Sequence, residues 1–476
     1  MMVRLPTMLG KRTRWLALVV LCLGTLMEVL DTTIVNVALP SIRTDLEFTG
    51  DTLAWVVNAY MLTFGGFMLL GGRMGDLFGQ RRIFMSGVAL FTLASFGCGL
   101  AHTQSFLVAM RAIQGMGAAI ISAVALSLVM NLFTEPVERT KAMGIFGFVA
   151  SGGGSIGVLL GGILTGSFNW HWIFLINIPI GIIVFILSLI LLPQGKIQGA
   201  ARHLDIPGAA AITCSLLLAV YAIVNGNQVG WTSLQTLSML GAALIGMILF
   251  VFIESCVKFP LMPLGLFRLR NVTTANVAGV LWAGGMFAWF FLSALYMQMV
   301  LHYTPMQVGL SFLPANLIMA AFSIGLSAKI VLRFGIRASL TAGLLFVATG
   351  LLLFVRAPVE GQFLRDILPN MVLLGLGAGV AFNPMLLAAM SDVDQRESGL
   401  ASGLVNTSFM MGGALGLAIL ASIAASRTAS LLALGQSQDG ALVGGYHIAF
   451  LTGAGFALLA TIIAGTCLRM TKPAAH

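Results

Sequence analysis

Two carboxylates and one arginine lie inside apolar segments of this sequence, and they suggest its chemistry. Glu28 and Asp31 lie three residues apart in the apolar run that begins at Trp15, so a helix places both on one face. Arg111 is the one other charge well inside an apolar segment. A charge at membrane depth costs about 2.5–3.5 kcal/mol on insertion scales, and such residues are usually functional. We therefore expect an acid pair on one helix and a base on another to carry the chemistry.

The side chain of Arg111 has two possible environments. An arginine inside a membrane needs an anionic partner, and Asp31 and Glu28 are the carboxylates at comparable depth. The alternative is snorkelling to the nearer interface, because Arg111 lies about five residues into its segment. We expect pairing, with Gln114 on the same helical face as Arg111.

The composition indicates a membrane protein with many spans. Of 476 residues, 58% are hydrophobic and 9% are charged, whereas a soluble domain carries about 25% charged residues. Apolar runs of about 20 residues predict fourteen spans in an order of six, two and six, with a long loop at Ser426–Gly445. Five cysteines without paired spacing predict neither a disulfide nor a metal site.

The basic residues predict the orientation of these spans. Twenty of the 25 lie on the side of the two termini, and four lie on the opposite side. This asymmetry predicts that both termini are cytoplasmic. The net charge of +9 is therefore a topology signal, and we expect no nucleic-acid partner.

A faint internal repeat predicts the domain organisation. The segment LFGQRR around Gly79 resembles RFGIR around Gly335, 256 residues later. The repeat predicts a six-span lobe at 1–192, a two-span insert at 193–271 and a second six-span lobe at 272–476. Parallel repeats of this kind place the substrate site near the membrane midplane between the lobes. Chance similarity between short basic loops is the alternative.

The segment Gly71–Arg82 joins the second and third spans and predicts a conformational latch. Its glycines allow a tight loop, and Asp76 can face a helix N-terminus or a nearby arginine in one of two conformations. An ordinary basic loop is the alternative. The residues assigned to the latch are Gly72, Asp76, Gly79, Arg81 and Arg82.

The segment Gly152–Gly162 contains a formal G-x-G-x-x-G pattern. A dinucleotide site would need a preceding strand and a polar crevice, whereas this pattern lies inside a predicted membrane helix. We expect close helix packing or a sliding hinge there.

Taken together, these motifs resemble the major facilitator superfamily, in particular its fourteen-span drug/proton antiporters. The residues that carry the resemblance are Leu30–Pro40 (LDTTIVNVALP), the loop with Asp76, Arg111 with Gln114, Gly115 and Gly117, the antiporter-motif glycines Gly153, Gly157, Gly161 and Gly162, Trp170–Gly181 (WHWIFLINIPIG), and Trp55 with Tyr60. Val158 stands where the antiporter motif usually has a proline, so no proline kink is expected. The C-terminal half resembles the group in layout.

The resemblance implies an all-α integral membrane protein with the major facilitator fold, a monomer in the cell's inner (cytoplasmic) membrane. It implies a proton-coupled antiporter, not an enzyme and without a cofactor, that exports amphiphilic, often cationic compounds. Asp31 is the first candidate to carry the proton or meet the substrate's charge, with Glu28 second and Arg111 as counter-ion. The residues expected to line the substrate cavity are Trp55, Asn58, Tyr60, Gln114, Trp289 and Asn383.

The chemistry of a buried carboxylate explains how such exchange could work. A low-dielectric cavity favours the protonated carboxyl, whereas a bound cation favours the ionised one, so proton and cationic substrate exclude each other. Two transporters with the same fold are the alternatives: a proton-coupled uptake symporter, which needs a more polar cavity, and an exporter dedicated to one metabolite or antibiotic. A membrane enzyme or receptor would need a catalytic constellation or a folded extramembrane domain, and the sequence shows neither.

Overall fold

The computed structural model describes residues 11–49, 52–133, 135–193, 205–257, 260, 262, 264–322, 326–390, 393 and 398–469, some of them by their backbone only. The helices are α1 (Lys11–Asp45), α2 (Trp55–Phe78), α3 (Gln80–Gly99), α4 (Gln104–Leu132), α5 (Pro136–Ser167), α6 (Trp172–Leu175), α7 (Asn177–Leu191), α8 (Ile206–Val229), α9 (Leu234–Cys256), α10 (Arg270–Leu295), α11 (Pro305–Ala321), α12 (Ser327–Phe334), α13 (Ile336–Phe354), α14 (Leu368–Met390), α15 (Ser398–Ala433) and α16 (Gln438–Cys467). Two short 3₁₀ helices (Thr52–Ala54, Leu264–Arg268) and two π-helical turns (Tyr296–Val300, Phe363–Ile367) complete the order, and these ranges contain no strand.

The helices confirm an all-α, multi-pass membrane protein. Within the described ranges, eleven helices are long and apolar enough to cross a membrane. Three shorter apolar stretches (Thr52–Met68, Ile156–Ser167 and Pro305–Ala321) coincide with the second, fifth and tenth predicted spans. The count of fourteen spans stays a prediction, as does the cytoplasmic position of the termini.

Two predicted loops are shorter in the structure than the sequence predicted, because helices extend into them. The segment Ser426–Gly445 is mostly helical, because α15 continues to Ala433 and α16 begins at Gln438. The apolar-run criterion detects only the part of a helix that matches the hydrocarbon core, so it misses helical turns that extend into water.

The junction between α2 and α3 is also shorter than predicted. Helix α2 continues through Gly72 to Phe78, and α3 begins at Gln80, so Gly79 alone forms the connection, with a φ of 97°. Gly335 forms the same junction between α12 and α13 with a φ of 82°. Only glycine adopts this conformation without strain, so the two repeated segments share one backbone feature.

The packing of the helices brings α1, α4 and α7 together around the predicted acid pair. Helix α4 packs against α1, α2 and α3, while α1 also packs against α5 and α7. In the second half, α10 lies against α14, α15 and α16. Helix α8 contacts both α2 and α15, and α9 packs mainly on α8.

The two halves of the molecule meet through α5 with α11 and through α2 with α15. Gln298 donates a 2.8 Å hydrogen bond to the carbonyl of Val37, and Arg43 donates to the sulfur of Met299 at 2.8 Å. Both contacts lie toward the end of the bundle remote from the chain termini. The structure therefore shows a conformation in which the halves are in contact at that end.

Candidate functional site

Asp31 of α1 and Arg111 of α4 form a buried ion pair. The guanidinium Nη1 lies 2.5 Å from the Asp31 Oδ2, and the side chains are 1% and 0% exposed respectively. The predicted pairing is confirmed with Asp31 as the partner, and Arg111 does not snorkel. Removing either charge would leave the other buried without a counter-ion.

The second carboxylate oxygen of Asp31 accepts hydrogen bonds from two amides. Gln114 Nε2 donates at 2.8 Å and Asn177 Nδ2 donates at 3.2 Å, and both amide groups also donate to Ser95 Oγ at 3.0 Å. Among the described residues, the hydrogen bonds to this carboxylate come from N–H donors of Arg111, Gln114 and Asn177, so both of its oxygens are satisfied as acceptors. Asp31 is therefore part of a fixed polar network.

The guanidinium of Arg111 is held on its other sides as well. Its Nε donates a 2.9 Å hydrogen bond to the Val56 carbonyl, and its Nη1 donates to Gln114 Oε1 at 2.7 Å. The rings of Tyr60 and Phe174 lie 4.3 and 5.6 Å from its Cζ and add cation–π contacts. This arrangement leaves the cation little freedom to turn toward another partner.

Sequence reasoning missed the roles of Ser95 and Asn177. Both are polar residues within apolar spans, Ser95 in α3 and Asn177 at the start of α7, and both are buried. The signal that could have identified them is their polarity at membrane depth, since a buried polar group needs a hydrogen-bond partner.

Glu28 has different surroundings from Asp31, although it lies one helical turn away. Its side chain is 7% exposed and has a hydrogen bond with Ser122, while its Oε2 makes no hydrogen bond with a described residue. The nearby hydroxyl of Tyr60 is 3.5 Å from Thr32 Oγ1, which itself donates to the Glu28 carbonyl at 3.0 Å. The predicted acid pair is thus one ion-paired carboxylate beside one without a basic partner among the described residues.

The glycines of α5 fit this helix against α1 next to the two acids. A Cβ added at Gly157 would lie 3.0 Å from the Leu30 carbonyl oxygen, and one added at Gly161 would lie 2.7 Å from the Ile34 oxygen. A Cβ added at Gly153 would lie 3.0 Å from the side chain of Leu26 and 3.1 Å from that of Val29.

Gly162 faces the other half of the molecule, where a Cβ would lie 2.8 Å from the Pro305 oxygen. The prediction of close helix packing for this motif is confirmed, and α5 is one continuous helix through Val158.

The remaining cavity candidates lie in separate places. The ring of Trp55 lies 6.4 Å from that of Tyr221 in α8. Trp289 is 1% exposed, and its ring meets Phe290 in a tilted contact and Phe312 edge-on, at centroid distances of 4.3 and 6.0 Å. Asn58 is fully buried without a hydrogen bond to a described residue, and Asn383 of α14 is partly exposed. Of the six candidates, Tyr60 and Gln114 join the charge cluster.

A second aromatic cluster was not predicted. The rings of Trp282, Phe287, Phe382 and Phe409 from α10, α14 and α15 are joined by centroid distances of 5.3 to 6.2 Å. Sequence analysis assigned Trp289 to the cavity. It could not predict this cluster, because no spacing rule connects residues of distant spans.

The residues of the predicted latch are only partly described. Arg81 donates a hydrogen bond to the Leu189 carbonyl, and Arg82 is exposed. Gly72 lies on the face of α2 next to Ala123 of α4. The side chain of Asp76 lies outside the described residues, so the latch stays a prediction.

Comparisons with known proteins agree with this arrangement. The family model described as Major Facilitator Superfamily matches residues 21–417. Puromycin resistance protein pur8 of Streptomyces alboniger is 36% identical over 457 residues, covering 95% of this chain and 90% of that protein. Cephamycin export protein CmcT of Amycolatopsis lactamdurans is 38% identical over 416 residues, covering 87% and 85%. Multidrug transporter protein MdtP of Bacillus subtilis (strain 168) is 31% identical, covering 89% and 78%.

Solved structures show the same fold at lower sequence identity. An auto inhibited POT family peptide transporter has a TM-score of 0.68 at 15% identity, with 97% of this chain and 98% of that chain covered. The POT family transporter PepTSo has a TM-score of 0.68 at 16% identity, with 96% and 97% covered.

Proposed function

The chain belongs to the major facilitator superfamily, and we propose that it exports amphiphilic, often cationic compounds in exchange for protons by alternating access. The observation that carries the proposal is the pair of buried carboxylates with contrasting partners: Asp31 is bound by Arg111, whereas Glu28 has no basic partner among the described residues. The relatives named for puromycin resistance, cephamycin export and multidrug transport support drug-like substrates.

Within this proposal, Glu28 rather than Asp31 exchanges the proton. When two carboxyl groups lie close together in different surroundings, their protonation behaviour separates and so do their roles. Asp31 is held by Arg111, Gln114 and Asn177, whereas burial without a counter-ion favours the neutral form of a carboxyl group. A cation that reaches Glu28 would displace the proton.

The fixed pair of Asp31 and Arg111 then sets the field in which Glu28 titrates. The Tyr60 ring is close to Arg111, and its hydroxyl lies in the electrostatic field of both acids. A change in the solvation of Glu28 as the lobes move would then change its affinity for a proton, because burial disfavours the charged form. Such coupling between conformation and protonation is what an antiporter requires.

The proton gradient and the membrane potential supply the free energy for export in this proposal. Each proton contributes about 1.4 kcal/mol per pH unit of gradient, and each charge contributes about 2.3 kcal/mol per 100 mV of membrane potential. We also propose the cytoplasmic membrane as the location, the monomer as the functional unit and the lobes as residues 1–192 and 272–476, with the insert at 193–271.

The test compares three variants reconstituted in liposomes with a pH gradient and a fluorescent cationic substrate. Glu28→Gln should lose substrate-induced proton release and gradient-driven transport. Glu47→Gln is the matched control, since Glu47 is an exposed acid after α1, and it should behave as the wild type. Asp31→Asn should lose transport through a weakened Arg111 network.

The outcomes separate the competing proposals. Full proton release in Glu28→Gln, together with its loss in Asp31→Asn, would return the carrier role to Asp31. Substrate accumulation on the side from which protons leave indicates antiport, and accumulation along with protons indicates a symporter. No proton movement with any tested cation would contradict proton-coupled drug export.

A further inference from the structure

A cleft of about 340 Å³ opens between α8, α15 and α16, away from the acid cluster. Its lining residues are Asn227, Trp231, Ser422, Ile423, Ser426, Arg427, Ser430 and Ile448. The walls come from the two-helix insert on one side and from the C-terminal half on the other. We propose that this cleft binds the phosphate group of an anionic amphiphile, with a membrane phospholipid as the expected source.

The polar wall of the cleft is held by a short chain of hydrogen bonds. Asn227 Nδ2 donates to both the carbonyl and the Oγ of Ser422 at 2.8 Å, and Trp231 Nε1 donates to Asn227 Oδ1 at 3.0 Å. Ser422 is 2% exposed. These contacts tie α8 to α15, so the cleft keeps its shape without a ligand.

The charge in the cleft belongs to Arg427. Its side chain is exposed and forms no ion pair with a described residue. Ser426 and Ser430, one helical turn apart, also line the cleft, and the Ser430 hydroxyl donates to the Ser426 carbonyl at 3.0 Å. The guanidinium matches a phosphate group, because it can donate two parallel hydrogen bonds to the phosphate oxygens.

The level of the cleft in the molecule favours a lipid headgroup. Asn227 lies in the last turn of α8, and the exposed Trp231 follows the helix end, where tryptophan marks a membrane–water interface. Helix α15 has 36 residues, which is about 54 Å of helix against about 30 Å of hydrocarbon. Its last turns, including Arg427, therefore reach the headgroup region.

The apolar side of the cleft fits the rest of such a ligand. Ile423 lies one turn before Ser426 on α15, and Ile448 faces it from α16. A phospholipid can place its phosphate near Arg427 and its glycerol and upper acyl carbons against these isoleucines. A free phosphate ion would use only the polar half.

The test measures binding to the full-length protein purified in a mild detergent. The probes are phosphatidylglycerol, phosphatidylcholine and inorganic phosphate, and the measurements are native mass spectrometry and the shift in thermal unfolding temperature, since a ligand of the native state raises it. Arg427→Gln removes the cation, Arg427→Lys keeps the charge without the planar fork, and Arg365→Gln removes another exposed arginine outside the cleft.

We expect phosphatidylglycerol to bind the wild type and Arg365→Gln alike. Arg427→Gln should bind it about tenfold more weakly, which corresponds to about 1.4 kcal/mol, with Arg427→Lys in between. If phosphatidylglycerol raises the unfolding temperature and inorganic phosphate does not, the ligand of the cleft is a lipid. If inorganic phosphate raises it equally, the ligand is the free ion. Equal phosphatidylglycerol binding by Arg427→Gln and the wild type, or no binding by the wild type, would overturn the proposal.

Discussion

Asp31 and Arg111 are bound to each other and to the side chains of Gln114 and Asn177, so a change in one residue affects the whole hydrogen-bond network. Gln114 contacts both members of the pair and Asn177 donates to Asp31, while Ser95 accepts a hydrogen bond from each of the two amides. Removing one partner of a buried ion pair is costly, because the other charge stays buried without a counter-ion, whereas replacing both charges is often neutral. This asymmetry leads to a prediction for single and double variants.

Arg111→Ala should lower the free energy of unfolding by about 3–5 kcal/mol, because it leaves the Asp31 carboxylate buried without its counter-ion. The double variant Asp31→Asn/Arg111→Gln should be more stable than Arg111→Ala, since it replaces both charges with neutral amides. Denaturant unfolding in detergent, followed by circular dichroism, compares the three proteins. If Arg111→Ala is as stable as the wild type, the ion pair does not hold α1 to α4.

At this residue scale, sequence reasoning identified the pair but not its surroundings. The depth of Asp31 and Arg111 in apolar segments was enough to predict their contact, because charges inside a membrane need partners. The difference between Asp31 and Glu28 was not predictable. It depends on Asn177 of α7, which donates to Asp31, and on Ser95 of α3, which accepts from Asn177. Helical periodicity says nothing about contacts between helices.

At the scale of the helices, small residues decide how closely α5 approaches its neighbours. Gly157 and Gly161 face the backbone of α1, and Gly162 faces the start of α11. The same helix therefore packs beside the acid cluster and at the contact between the two halves. Sequence reasoning predicted this close packing, whereas it placed Gly72 in a loop because a glycine-rich segment has the same composition in a turn and in a tight helix contact.

Gly161→Ala should destabilise the protein by about 1–3 kcal/mol, because its Cβ would overlap the Ile34 carbonyl. Gly166→Ala on the same helix is the matched control, since no atom lies within 4 Å of its added Cβ. It should be neutral or stabilising, as alanine favours helix more than glycine does. Thermal unfolding and transport of both variants provide the comparison, and equal losses would show that backbone flexibility, not packing, is the property that matters.

At the scale of the whole molecule, the described contacts between the halves indicate a conformation closed at the end remote from the termini. Arg43 of α1 reaches Met299 there, and α5 meets α11 at Gly162. Helix α8 lies across the same boundary, touching α2 and α15. The internal repeat predicts two lobes but not which end is closed, because under the proposed alternating access one sequence specifies both conformations.

Joining the two halves at this closed end should stop transport, because alternating access requires them to separate there. We place cysteines at Arg43 and Met299, whose side chains are in contact, in a background without the five native cysteines. A short bis-methanethiosulfonate reagent bridges the pair, and dithiothreitol reverses the bridge. Transport in liposomes should be lost on bridging and restored on reduction.

The matched control is Arg43→Cys with Glu47→Cys, which joins two positions at the end of α1 and leaves the halves free to separate. Single-cysteine variants treated with the same reagent show the effect of modification alone. A mass shift from the bridge confirms that the reaction is complete. Transport at the wild-type rate in a fully bridged Arg43→Cys/Met299→Cys protein would mean that this contact persists through the cycle, and the opening on that side would then have to lie between other helices.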